Sequence, residues 1–278
     1  MSPTVGIGFK PEHLDAALRS PADGLWFEVH PENYMVAGGM RAAVLAAIGD
    51  ARPVSFHGVG LSLAGAEAPD TAHLGRLSDL VDRHDPFLVS EHLAWSRSGA
   101  THFPDLLPFP RTTEALQRIV ENIDQVQQAL GRSILIENPS LYIRLDEHEW
   151  DETDFLAELA SRAGCGLLVD VNNVHVSANN LGYDPVAYLD ALPVAAIGEI
   201  HLAGHSQDPV HGATLLIDSH DAPIAEAVWS LYAHLIARTG PVPTLIERDD
   251  NIPAFDELMR ERARAAVIMA APRVMVDA

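Results

Sequence analysis

The sequence predicts a single-chain α/β fold, a (β/α)8 barrel of the TIM type. Eight short apolar runs alternate with helix-like segments over most of the 278 residues, which indicates a parallel sheet and matches the usual size of such a barrel of about 250 residues. Six of these runs end in an imidazole or a carboxylate. An open, doubly wound sheet is the alternative, but it would not explain ligand-type residues at the ends of so many strands.

The strands are predicted from apolar runs that are too short for helices and are bounded by Gly, Pro or polar residues. Three aliphatic residues between Gly131 and Pro139, closed by Glu137, are typical of these runs. In chain order the predicted strands are Val5–Phe9, Leu25–Val29, Pro53–His57, Pro86–His92, Ile134–Glu137, Gly166–Asp170, Ala196–His201 and Pro243–Glu247.

The helices are predicted from apolar residues that recur every three or four positions, and from proline at a first helical turn. Two further segments, Ala94–Pro110 and the polar stretch after the seventh strand, are predicted as loops, and the first is long enough to shape a binding face. The predicted helices cover residues 11–19, 40–49 and 71–83, a segment from Thr112 to Val126, Phe155–Ala160, a short segment after Pro185, Pro223–Arg238 and Ala254–Met269.

Length and composition favour one globular domain over residues 1–278, with residues 272–278 as a frayed tail. The formal net charge of −21 argues against a nucleic-acid partner, which usually requires a basic face. We expect no membrane association, because no apolar stretch reaches about 18 residues, and no signal peptide at residues 1–4. The single cysteine, Cys165, excludes an intrachain disulfide and suits the cytoplasm.

The residues that end the predicted strands are mostly metal ligands by type. Because the carboxyl ends of all strands of a barrel converge on one mouth, distant residues can meet there. A buried carboxylate also requires a cation or another partner, since an isolated buried charge is costly. The six ligand-type residues at strand ends are His57, His92, Glu137, Asp170, His201 and Glu247.

Three more candidates follow strands six and seven. Asp218 and His220 form an Asp-x-His pair that would project both side chains the same way in an extended segment, and Asn173 lies three residues beyond Asp170. Nine donors exceed what one ion needs, so two or three ions sharing carboxylates are expected. Imidazole and carboxylate without thiolate suit iron, manganese or zinc.

A single histidine or carboxylate at a strand end is more often a hydrogen-bonded core residue or an ion-pair partner than a ligand. The number of such residues here argues against that explanation for the set. Cys165 precedes its strand and would lie at the opposite end from the metals. Further side chains are candidates for substrate contact or for supporting the ligands, from their position at the mouth alone: Glu28, Asn33, Tyr34, Trp95, His175 and His205.

Eight motifs together resemble the multinuclear non-haem iron-dependent oxidative enzymes, the family that includes the enzyme of methanobactin biosynthesis and was long catalogued as a domain of unknown function. The resemblance runs from about Gly6 to Ile268. The motifs are His57–Leu63, Ser90–Ser96, Asp105–Pro108, Glu137–Ser140, Asp170–Val174, Glu199–His205, Ile217–His220 and Ile246–Asp249.

The resemblance implies a xylose-isomerase-like barrel and an enzyme that uses O2 and two or three irons to oxidise cysteine residues of a ribosomally made precursor peptide. It also implies a small partner protein that presents the peptide. By the same resemblance, one iron would be held by His57, His92 and Glu137, with Glu137 bridging to a second iron. The remaining ligands would be Asp170, His201 and Glu247 for the second iron, and Asn173, Asp218 and His220 for the third.

Three alternatives remain open from the residues alone. Apurinic endonucleases carry a trinuclear zinc site with similar ligand spacing, but they place a histidine where Asn173 stands, and the charge of −21 argues against DNA. A two-metal sugar isomerase would need a catalytic lysine at a strand end, whereas the only lysine, Lys10, follows strand one. A non-catalytic metal-binding or peptide-binding module would not need so many open ligands, because structural sites are usually closed.

Overall fold

The structure of the chain is a computed structural model that describes residues 4–271. Eight parallel strands form a closed barrel in the order β1-β12-β9-β8-β7-β4-β3-β2, which confirms the predicted fold class. The predicted frayed tail, residues 272–278, lies outside the described residues. The barrel strands are β1 (Val5–Gly8), β2 (Phe27–Val29), β3 (Val54–Gly58), β4 (Leu88–His92), β7 (Leu135–Glu137), β8 (Gly166–Asp170), β9 (Ile197–Leu202) and β12 (Thr244–Ile246).

Nine α-helices accompany the strands within residues 4–271, and several carry the capping residues expected from their sequence. Asp70 accepts hydrogen bonds from the backbone N–H groups of Ala72 and His73 at one helix start, and Gly131 ends another in the left-handed conformation. The helices are α1 (Leu14–Arg19), α2 (Met40–Ala51), α3 (Thr71–His84), α4 (Thr113–Leu130), α5 (Glu152–Ala163), α6 (Val171–Leu181), α7 (Pro185–Ala191), α8 (Glu226–Thr239) and α9 (Phe255–Met269).

The structure differs from the prediction at three places along the chain. The segment Ala94–Pro110, predicted as a loop, contains the antiparallel pair β5 (Trp95–Ser98) and β6 (Thr101–Leu107). The polar stretch after strand seven contains a second pair, β10 (Ser206–Asp208) and β11 (Gly212–Ile217). Helix α6, which follows β8 directly, was not predicted.

Two compact units can be distinguished in the described chain. We call residues 4–26, 140–143 and 169–271 the β1 unit, and residues 27–139 and 144–168 the β3 unit. One domain over residues 1–278 stays a prediction. In the β3 unit, β3 pairs with β4 and β4 with β7; in the β1 unit, β1 pairs with β12 and β12 with β9.

Both units contain fully buried aromatic side chains. In the β3 unit the fully buried side chains include Phe27, Phe56 and Phe155. In the β1 unit, Trp26 and Tyr232 are fully buried, and a Cβ at Gly6 would overlap the Trp26 ring. None of the helices between residues 4 and 271 is long and apolar enough to cross a membrane.

Candidate metal centre

Three ligand-type side chains meet at the ends of adjacent strands in the β3 unit. His57 lies on β3, His92 ends β4 and Glu137 ends β7. The parallel register pairs His57 with Ser90 and His92 with Glu137. The sheet therefore brings together three of the predicted metal ligands, although they lie far apart in the sequence, at positions 57, 92 and 137.

The three donor atoms of this cluster form a nearly equilateral triangle. His57 Nε2 lies 3.3 Å from His92 Nε2, and Glu137 Oε2 lies 3.1 Å and 3.2 Å from these two atoms. An ion about 2.1 Å from each donor would separate neighbouring donors by about 3.0 Å in an octahedral shell and about 3.4 Å in a tetrahedral one. The triangle therefore fits a transition-metal ion bound by two imidazoles and one carboxylate.

The opposite nitrogens of both imidazoles have partners that suit metal binding. His92 Nδ1 donates to the carbonyl oxygen of Gly58 at 2.8 Å, so the lone pair of the neutral ring is on Nε2. His57 Nδ1 lies 2.8 Å from Ser90 Oγ. Burial lowers the pKa of His92 below its usual value, although Glu137 acts in the opposite direction. A neutral ring is the form that binds metal.

Two carboxylates that the sequence analysis did not select support the segment after β3. Glu91 is buried and accepts hydrogen bonds from the N–H groups of Leu61 and His92; burial and the charge of Glu32 raise its pKa well above the usual value. Glu32 accepts from the N–H groups of Val59 and Gly60 at 3.0 Å and 2.9 Å. No sequence pattern indicates these two roles, because contacts to backbone N–H groups depend on the fold.

Glu32 is charged although it is half-buried. Burial would raise the pKa of Glu32, but hydrogen bonds from His73 and from the backbone of Val59 outweigh burial and lower it to about 2. Glu32 therefore acts as a permanent acceptor that fixes the backbone just beyond His57.

The β1 unit contains a second cluster of ligand-type side chains. Asp170, His220 and Glu247 offer ligand atoms within 4.8 Å of one another. His201 joins them through Nδ1, which lies 3.2 Å from Glu247 Oε2. Asp170 also caps helix α6, since its Oδ1 accepts the N–H of Asn173 at 2.7 Å.

His220 is surrounded by carboxylates. Its Nε2 lies 2.8 Å from Asp218 Oδ1, and its Nδ1 lies 3.2 Å from Asp249 Oδ2 and 3.4 Å from Glu247 Oε2. Burial would lower the pKa of His220, but Asp218 and Glu247 outweigh burial and raise it well above the usual value. Metal binding at Nε2 would replace the proton held there.

The Asp-x-His pair does not lie in an extended segment, so the side chains do not meet in the way predicted from the sequence. Asp218 follows the end of β11, and His220 has a left-handed backbone with φ of 49°. The two side chains nevertheless meet, because the backbone turns at His220. A residue other than glycine rarely adopts this conformation, and where it does the surrounding contacts must hold it.

Asn172 contacts Asp218 directly, whereas its neighbour Asn173 is the candidate ligand predicted from the sequence. Asn172 Nδ2 donates to Asp218 Oδ1 at 2.7 Å, and Asn172 Oδ1 lies 2.8 Å from His205 Nδ1. The rings of His175 and His205 are 4.9 Å apart, and burial lowers the pKa of both. Asn173 is buried in the first turn of α6; its role as a ligand stays a prediction.

The other candidates for substrate contact lie in the β3 unit. Glu28 is buried and accepts a hydrogen bond from Ser55 Oγ at 2.7 Å. Asn33 is exposed, whereas the neighbouring Tyr34 is only 6% exposed. Trp95 is half-buried, and its Nε1 donates to the Pro108 carbonyl oxygen at 2.8 Å. Their roles in substrate contact stay predictions.

Cys165 is expected to resist thiol reagents in the folded protein. It is buried before β8, and burial raises its pKa to about 12, so at pH 8 almost no thiolate is present. Iodoacetamide should label Cys165 only after denaturation, as measured by mass spectrometry of the intact chain. Rapid labelling of the native protein would show that the thiol is accessible.

Comparison with known proteins gives a family match over almost the whole described chain. Residues 4–270 match the family described as RiPP precursor modification enzyme MbnB/TglH/ChrH, where RiPP denotes a ribosomally synthesised and post-translationally modified peptide. A UPF0276 protein of Caulobacter vibrioides is 64% identical over 270 residues, which are 97% of this chain and 96% of the relative. A UPF0276 protein of Bordetella parapertussis is 52% identical over 266 residues, 95% of this chain and 92% of that protein.

Solved structures with the same fold are much more distant in sequence. D-psicose 3-epimerase from Clostridium cellulolyticum superposes with a TM-score of 0.62 at 11% identity, covering 95% of this chain and 96% of that chain. Endonuclease IV from Thermus thermophilus gives a TM-score of 0.58 at 18% identity, covering 95% of this chain and 99% of that chain. These likenesses confirm a xylose-isomerase-like barrel and do not distinguish between activities.

Proposed function

The chain belongs to the MbnB/TglH/ChrH family of RiPP precursor modification enzymes, and from that membership we propose that it is a multinuclear iron-dependent oxidoreductase. It would use O2 to modify cysteine residues of a ribosomally synthesised precursor peptide in the cytoplasm. The observation that supports a metal-dependent reaction is the triangle of His57 Nε2, His92 Nε2 and Glu137 Oε2, with sides of 3.1 to 3.3 Å.

We propose that the two clusters hold two or three iron ions. In the β3 unit, His57, His92 and Glu137 would hold one ion. In the β1 unit, a second ion would be held by Asp170, His201 and Glu247. A third ion would be held by Asn173, Asp218 and His220. Bound iron would supply oxygen activation and electron transfer, which side chains of this composition do not provide.

The protein's own contribution is to present neutral imidazoles and to leave one side open. Gly58 and Ser90 orient the rings of His92 and His57, so each offers Nε2 to the ion. The His57 side chain is 1% exposed and that of His92 is 19% exposed. A peptide would therefore approach the ion from the side of His92. Its cysteine would be held in one orientation there, with water displaced.

The family's substrate is a precursor peptide, and we propose that a small partner protein presents it. A partner of this kind would raise the effective concentration of the reactive cysteine at the metals. The formal charge of −21 makes nucleic acid an unfavourable partner, and the proposal includes none.

Metal content and Mössbauer spectra of protein purified without oxygen from iron-supplemented cells test this proposal. We expect two or three irons per chain, some of them magnetically coupled, and O2-dependent mass changes confined to cysteines of a precursor peptide from the same gene cluster. The same peptide with serine in place of cysteine is the control. Zinc filling the sites while iron fails to bind would instead favour hydrolysis, and modification that survives complete metal removal would overturn the proposal.

A further inference from the structure

The chain's only lysine lies beside the second cluster and has no role in the proposed reaction so far. Lys10 follows β1, and its Nζ lies 2.8 Å from Asp249 Oδ1. The other oxygen of the same carboxylate, Asp249 Oδ2, lies 3.2 Å from His220 Nδ1. All three residues belong to the β1 unit. We propose that Lys10 and Asp249 are positioning residues that hold the His220 imidazole so that Nε2 binds a metal ion.

Asp249 contacts His220 at two points. Its backbone N–H donates to the His220 carbonyl oxygen at 2.9 Å, while its side chain accepts from His220 Nδ1. His220 has a left-handed backbone with φ of 49°, a conformation that costs on the order of 1 kcal/mol or more and needs support from its surroundings. One residue therefore stabilises both the strained backbone and the ring orientation.

The proton arrangement selects one nitrogen for the metal. With Asp249 as acceptor, the neutral His220 ring carries its proton on Nδ1 and its lone pair on Nε2. Nε2 faces Asp218 Oδ1 at 2.8 Å, close to the separation of about 3.0 Å for neighbouring ligands of one ion. A carboxylate behind the second nitrogen of a metal-binding histidine fixes its tautomer and raises its basicity.

Lys10 contributes to holding the Asp249 side chain in this place. Asp249 lies two residues from Glu247, and both carboxylates approach the same His220 nitrogen. Their mutual repulsion would favour turning the more exposed Asp249 side chain, which is 39% exposed, away towards solvent. A charge-assisted hydrogen bond from Lys10 opposes this rotation.

The direction in which loss of Lys10 changes metal binding distinguishes a positioning role from a purely electrostatic one. A lysine near a dication repels it, so loss of the charge alone would tighten metal binding. Loss of positioning would weaken metal binding. The proposed role therefore predicts that Lys10→Met releases metal faster than the wild type, against the electrostatic trend.

The experiment loads the full metal-free chain with Co2+ and follows metal release to a chelator by the cobalt absorption bands. The release phase that depends on His220 is identified by its loss in His220→Ala. In that phase we expect Asp249→Asn to release cobalt about 10–100-fold faster and Lys10→Met about tenfold faster. Lys10→Arg should restore most of the wild-type rate.

Two further variants make the test specific. In the double variant Lys10→Met with Asp249→Asn, release should be no faster than in Asp249→Asn alone, because both residues act through one contact. Arg260→Met removes a cation whose side chain is 73% exposed on α9 and should leave the rate unchanged. Thermal unfolding of the metal-free variants checks that each is folded.

The outcomes distinguish this inference from the proposed function on which it rests. If wild-type protein shows no His220-dependent phase, the ligand role of His220 is wrong, and the inference is wrong with it. If the phase is present and Lys10→Met leaves it unchanged or slows it, only the positioning role is overturned. Additive effects in the double variant would also contradict a single Lys10–Asp249–His220 contact chain.

Discussion

Glu137→Gln should abolish the proposed peptide modification and prevent binding of the ion that we propose for the β3 unit. The glutamine has the same size as the glutamate, so the fold of β7 should be kept. What changes is the charge at the third corner of a triangle whose other corners are two imidazole nitrogens, 3.1 Å and 3.2 Å away. Without the carboxylate, the cation loses a favourable charge interaction and is bound more weakly.

The expected loss exceeds that for residues that only support a ligand. Removing a supporting partner typically costs about 10–100-fold in metal affinity or activity, so loss of the only carboxylate of this triangle should cost at least about a hundredfold. Metal analysis of the purified variant and the rate of peptide modification measure the two effects. The metal-free variant should be no less stable than the metal-free wild type, because a neutral amide is cheaper to bury than a carboxylate.

Glu114→Ala is the matched control, since it removes a carboxylate of the same unit whose side chain is 91% exposed on α4. It should retain metal and activity. A Glu137→Gln protein with full iron content and a normal rate would show that the triangle is not a metal site, whatever the activity of the wild type.

The ligand-type residues at the strand ends could be predicted from the sequence, because a titratable residue is easily recognised at the end of a buried apolar run. An apolar run such as Ile134–Ile136 that ends in Glu137 requires a partner for a buried charge, and the parallel register of adjacent strands brings Glu137 to His92. For His57, His92 and Glu137 the convergence follows from strand order alone. Some residues of the second cluster lie in turns. There the order of the strands does not predict which side chains come close together.

The elements that were missed carry weak local signals. Helix α6, Val171–Leu181, is rich in valine and asparagine, which are poor helix formers; it starts because the Asp170 side chain caps it. Strand β6 contains Pro104, which usually argues against a strand, but the two-stranded pair tolerates it at an edge. Contacts such as Lys10 to Asp249 join residues 239 positions apart, so no local pattern could show them.

Gly204→Ala should remove the ion that we propose for Asp218 and His220, while the His57–His92–Glu137 cluster should keep its ion. A Cβ at Gly204 would overlap the carbonyl oxygen of Ala222 and approach that of Pro223 to 2.8 Å. These are backbone atoms, so the segment itself must move. Gly204 also accepts the His220 N–H at 3.1 Å, and displacement of the segment would take the His220 ring away from Asp218.

The size of this effect follows from the overpacking of a close backbone contact. Overpacking of this kind costs about 1–3 kcal/mol of unfolding free energy, measurable by urea denaturation of the metal-free chain, and iron content should fall by one ion. Gly75→Ala is the control, because a Cβ at this position in α3 would meet no atom within 4 Å other than its chain neighbours and the backbone of its own helix. Alanine in a helix should stabilise the protein by about 0.5–1 kcal/mol. If Gly204→Ala kept both its stability and its full metal content, the turn at His220 could not be what holds that ligand, and Asp218 and His220 would have to bind metal from a more adaptable segment.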